Sequence, residues 1–188
     1  MTAFKAITAV ALAGLVAFGA SASASLTTQA IEEGSGAAHL ALLETVQEHG
    51  VKVFINDPYC GKKEGMMGLY QGNLRALVIC QENGTPGGPV VDFTAEDLDT
   101  LRHEAQHFIQ DCIVGTNHDH ELAPLYNSPT ELALQELGAD KTRWIMNHYR
   151  KGGATDLTLL IEYEAFAVAS MNVPAEQAQD IRTYCGGN

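Results

Sequence analysis

The sequence predicts an α+β fold in which a small antiparallel sheet comes first and helices follow. Three observations carry that expectation. Short runs rich in β-prone residues, separated by glycine-containing turns, fill residues 51–80. Beyond residue 94 the pattern changes to long stretches with apolar residues at helical spacing, opened by Ser, Thr and Pro start signals. No repeat, low-complexity tract or long Pro/Gly/Ser linker interrupts residues 25–188, so that stretch reads as one domain.

Residues 1–24 are laid out as an export signal. Lys5 stands near the start, an apolar run covers 6–18, and Ala20-Ser21-Ala22 and Ala22-Ser23-Ala24 each offer a small-x-small cleavage site. Cleavage after Ala24 is expected, with Ala22 as the alternative. The apolar run is shorter than the roughly 20 residues that span a bilayer, so the expectation is a secreted or periplasmic chain with no stable membrane insertion. An even set of cysteines, Cys60, Cys80, Cys112 and Cys185, suits an oxidising compartment and two disulfides. Of the three connectivities, Cys60 with Cys80 and Cys112 with Cys185 is preferred.

Leu40, Leu42, Leu43 and Val46 lie at helical spacing and predict a helix over 36–49 that stops near Gly50. A strand over 51–55 follows. Two further strands, 65–70 and 74–80, flank Gln71-Gly72-Asn73, which is hairpin turn chemistry. Thr94 then reads as the N-cap of a helix over 95–113, with Glu96, Asp97 and Asp99 against its positive end. Ser128-Pro129-Thr130-Glu131 combines capping-box spacing with proline at the first helical position and predicts a helix to about residue 149, ended by Gly152-Gly153. Helices over 156–171 and from Pro174 to about 183 complete the chain.

Charge excludes one class of partner. Asp and Glu number 23 against 11 Lys and Arg, and a chain this acidic lacks the basic surface that phosphate backbones require.

Within the 95–113 helix stands HEAQH, residues 103–107, an H-E-x-x-H pattern. Four residues advance a helix by about 400°, so His103 and His107 point the same way one turn apart and can share one cation. Glu104 is rotated by about 100° from the first imidazole and lands beside the cation, where a general base for water belongs. Two imidazoles do not complete a zinc site; a third protein donor is needed. The metzincin extension would put glycine at 110 and histidine at 113, where this chain has Gln110 and Ile113. His118 and His120, further on, are one candidate source. Glu162 and Glu164 are another, because carboxylates among Leu159, Leu160, Ile161 and Phe166 are costly unless paired or bound to a cation. Ala165 and Ala169 fall within about 60° of Glu162 and leave that face narrow enough for close approach to the His103 helix, whereas Glu164 lies about 200° away.

HEAQH with a later Glu-x-x-Ala resembles the gluzincin branch of the zincin metallopeptidases. The EYEA stretch, residues 162–165, is similar to the segment found in the membrane CaaX-processing metalloproteases and in ImmA-type metallopeptidases. The resemblance covers only these two segments. It implies a zincin-like fold, Zn2+ as cofactor, Glu162 as third ligand, Glu104 as catalytic base, and a peptide or protein substrate paired to a sheet edge, for which 74–80 is the strand expected. Several of those families follow the alanine with an aspartate that orients a zinc histidine; Phe166 stands there instead. That leaves Asp111, Asp140 or Glu164 as candidates to orient a ligand, and Tyr126, His120, His148 or Tyr149 to steady an oxyanion. The rival expectation is a non-catalytic secreted binding protein on the same scaffold, with zinc structural or absent.

Overall fold

A computed structural model describes residues 36–115 and 121–186. The expected export signal, His118 and His120 lie outside the described residues. In chain order the elements are α1 (Ala37–Glu48), β1 (Lys52–Ile55), β2 (Gly68–Gln71), β3 (Ala76–Ile79), α2 (Ala95–Val114), α3 (Pro129–Lys151), α4 (Asp156–Met171) and α5 (Pro174–Tyr184). The α+β class and the order of sheet before helices are those expected.

The sheet is mixed rather than antiparallel. β2 and β3 form the expected antiparallel hairpin, with Gly68 opposite Ile79, and a 3-10 turn at Gly72–Leu74 closes it, followed by Arg75 in the left-handed region. β1, however, pairs in parallel with β3, so the strand order is β1-β3-β2. The connection from β1 to β3 contains two 3-10 turns and the whole of β2, which is long enough for the crossover that a parallel pair needs. β3 is therefore the central strand. It cannot be the edge that receives a substrate strand, because both its ladders are already filled.

The alternation of β3 divides the core. Leu77 and Ile79 pack with Leu42, Leu101 and Phe108, while Val78 and Cys80 face Met66 and Leu69. α2 runs beneath the sheet and is buried along nearly all of its length. Its start is a reciprocal capping box: Asp97 donates its backbone N–H to Thr94 Oγ1, and the Thr94 N–H donates to Asp97 Oδ2 at 2.9 Å. Gly115, at φ 99°, ends it in the left-handed conformation glycine tolerates best.

α3 departs from the single helix expected. Gly138 adopts φ 77° and ψ 165°, which breaks the element into two helical pieces. The Thr142 hydroxyl sits at the break, within hydrogen-bond reach of the Ala133 and Gly138 carbonyls. The Ser128 side chain makes no capping bond either. α4 starts cleanly, with the Thr158 N–H donating to Thr155 Oγ1. Its small face does bring it close to α2: Ala165 and Ala169 are buried, and Arg102 Nε donates to the Ala169 carbonyl at 2.8 Å.

Both expected disulfides are present, Cys60–Cys80 and Cys112–Cys185, and among the described residues no cysteine is free. The second ties the end of α2 to the end of α5 across 73 residues, against 20 for the first. Loop-closure entropy then assigns about 4 kcal/mol to Cys112–Cys185 and about 3 kcal/mol to Cys60–Cys80. In urea titrations, Cys112→Ser with Cys185→Ser should lose more stability than Cys60→Ser with Cys80→Ser; the reverse order would contradict the loop-length account. Among the described residues, no helix is long and apolar enough to cross a membrane.

Candidate metal centre

α2 and α4 bring three potential ligands to one point. His103 Nε2 is 3.1 Å from His107 Nε2 and 3.4 Å from Glu162 Oε2, and His107 Nε2 is 3.8 Å from Glu162 Oε1. Donors at about 2.0–2.1 Å from a tetrahedral zinc stand about 3.3–3.4 Å from one another, and these separations, taken to the nearer Glu162 oxygen in each case, bracket that edge length. His103, His107, Glu162 and the neighbouring Glu104 are 0–1 % exposed.

The chemistry of the pocket also fits a cation. Among the described residues, no well-formed hydrogen bond reaches either oxygen of Glu104 or either oxygen of Glu162; the Tyr149 hydroxyl approaches Glu162 and the Tyr70 backbone approaches Glu104, and each eases its carboxyl only in part. Four buried carboxyl oxygens in that condition are costly, and a divalent cation offsets the cost. Burial, and then the nearby Glu162 charge, push the Glu104 carboxyl well above its ordinary range. Burial also raises Glu162, with the His107 charge opposing. It pushes the His103 imidazole down to about 3 and His107 down to about 4. Both rings are thus neutral near pH 7, the form that ligates metal.

Glu164 is not part of the triangle. It points to the other side of α4, where Oε1 accepts from Gln106 Nε2, Gln110 Nε2 and the Leu125 N–H, and Oε2 accepts from the Tyr126 N–H. Of the other residues expected to orient ligands, Asp111 instead accepts the Tyr70 hydroxyl at 2.6 Å. Asp140 is exposed and pairs with Arg143. The residue at the His107 Nδ1 is Gln110, whose Oε1 is 2.8 Å away. Sequence reasoning had met Gln110 only as a mismatch to another motif. It sits one turn beyond His107 on the same helix, a spacing that allows the contact, but what commits its amide lies across on α4.

Phe166, standing where related motifs place an aspartate, packs its ring edgewise on His103 with centroids 4.5 Å apart. Of the oxyanion candidates, Tyr149 is buried, and its hydroxyl faces Glu162, whose charge joins burial in pushing the phenol well above its ordinary value. His148 stacks on Trp144 and is near enough for its charge to act on Glu162. Burial, and then the charges of Asp180, Glu164 and Glu176, raise the Tyr126 phenol.

Gly68 is a second residue that the sequence did not single out. A Cβ there would lie 2.6 Å from Thr100 Cγ2 and 2.8 Å from Glu104 Oε1, so only glycine lets β2 lie this close to the helix. Gly68→Ala should lower stability by about 1–3 kcal/mol and displace the Glu104 side chain. Denaturant unfolding of that variant checks the contact, and unchanged stability would contradict it.

No curated protein and no solved structure matches the chain. A family model described as a domain of unknown function (DUF8637) matches residues 26–185. That span holds every element of the fold and all three donors of the triangle, and the chain belongs to this family.

Proposed function

We propose that the chain is an exported zinc-dependent metallopeptidase, with His103, His107 and Glu162 as metal ligands and Glu104 as general base. The observation that carries this reading is the donor count: among the described residues, three side chains converge, and a fourth ionisable group, Glu104, stands beside them outside the set. Structural zinc sites are closed by four protein ligands, whereas catalytic ones keep three and leave one position open. Two imidazoles and a carboxylate suit zinc among the common divalent cations. A cation held there supplies Lewis acidity that polarises a carbonyl and acidifies water.

The chain's own groups do the rest. Glu104 takes a proton from the attacking water as its oxygen adds to the scissile carbonyl carbon, and returns that proton to the departing amine as the C–N bond breaks. Tyr149, whose hydroxyl faces the ligand Glu162, is the oxyanion candidate best placed to donate to the developing charge. A substrate strand belongs on the outer edge of β2, because β3 is occupied on both sides and β2 lies against Glu104 through Gly68. Two disulfides agree with an oxidising destination.

Complete burial of the donors favours a second reading, a non-catalytic binding protein whose zinc is structural. The two differ in what chelation does. For a peptidase, removing zinc abolishes cleavage of an unfolded protein substrate while the fold persists, and added zinc restores cleavage. No cleavage with or without zinc, together with unfolding on chelation, would favour the structural role.

A further inference from the structure

We infer that Gln110 and Glu164 are positioning residues that fix which nitrogen of His107 faces the metal, and so set the affinity of the centre; this rests on reading the His103, His107 and Glu162 cluster as a metal site. Gln110 carries the logic. Its Nε2 has two acceptors, Glu164 Oε1 at 2.9 Å and the Ile161 carbonyl at 3.1 Å. Both of its N–H groups are therefore committed toward α4, and the amide cannot flip without setting its oxygen against two other oxygens. The oxygen must then face His107 Nδ1, 2.8 Å away, where it accepts an N–H. With the proton on Nδ1, Nε2 holds a lone pair, and that nitrogen is the one turned toward His103 and Glu162.

Glu164 holds Gln110 in that attitude. The carboxylate is itself immobilised from three directions, by Gln106 on α2 and by the backbone N–H groups of Leu125 and Tyr126. Those two N–H groups follow α2 in the chain, so the docking of Leu125 and Tyr126 is linked through Glu164 and Gln110 to the ligand His107. His103 has no comparable arrangement: among the described residues its Nδ1 has no hydrogen-bond partner. Orientation by a neighbouring group thus rests on one imidazole of the pair. That concentrates the effect of losing it.

The test measures zinc affinity by competition with a chromophoric chelator, on the full chain and two variants. Gln110→Met keeps length and removes the acceptor, and should weaken zinc binding by about 10- to 100-fold. Gln106→Met removes one donor to Glu164 from the same helix but leaves the Gln110 contact with His107 in place, and should weaken zinc binding far less than Gln110→Met does. If both variants weaken binding equally, or neither does, the inference is overturned while the metal reading stands. If the unaltered chain binds no zinc, both fall together. Should Gln110→Met fail to fold, the nitrogen-15 shifts of His107 in the zinc-loaded chain decide: a proton on Nδ1 is expected, and a proton on Nε2 would overturn the inference.

Discussion

Glu104→Gln should leave one zinc ion bound per chain and lower peptide hydrolysis by about 10²- to 10⁴-fold, the range general acid–base catalysis contributes. Glutamine fills the same volume between Gly68 and the ligand cluster, so the fold and the three donors stay in place. What disappears is the capacity to take and return a proton. The substitution also relieves a strain: two fully buried carboxyls, Glu104 and Glu162, are near enough for the charge of one to raise the other. The variant should therefore be at least as stable as the parent, with thermal unfolding measured beside turnover. Full turnover in a zinc-loaded Glu104→Gln would remove the base from the mechanism.

His107→Ala should act on the other half of the site and lose the metal. In structural zinc sites a binding free energy of about 10–16 kcal/mol is shared by four ligands, or about 2.5–4 kcal/mol for each. Removing one then weakens binding by about 10²- to 10³-fold. The effect reaches beyond one contact, because His107 is the imidazole whose other nitrogen is held by Gln110 and which touches His103 at 3.1 Å. Metal analysis after dialysis against a weak chelator should find the parent loaded and this variant empty. Stoichiometric zinc in both would place the cation elsewhere.

Much of this site was legible in the sequence because helix geometry is periodic. HEAQH fixed the relation of His103, Glu104 and His107 before any packing was known, and the small residues at 165 and 169 marked the face on which Glu162 meets them. The same wheel separated Glu162 from Glu164, and the two carboxylates do lie on different sides of α4 with different partners. Strand order was not legible. Turn chemistry identifies a hairpin, and β2 with β3 is one, but nothing local says whether β1 joins β2 or β3. The break at Gly138 was equally hidden, since a single glycine within helical periodicity is tolerated and only the packing around Thr142 shows that this one changes direction. Gln110 and Gly68 escaped for a related reason. Their roles consist of what lies across from them, an imidazole and a carboxylate brought there by the fold.

X-ray absorption at the zinc edge, on the chain purified with its metal, tests the arrangement most directly. The account predicts a shell of nitrogen and oxygen donors at about 2.0–2.1 Å, with outer-shell scattering from two imidazoles. Sulfur at about 2.3 Å, or a shell without imidazole, would contradict it.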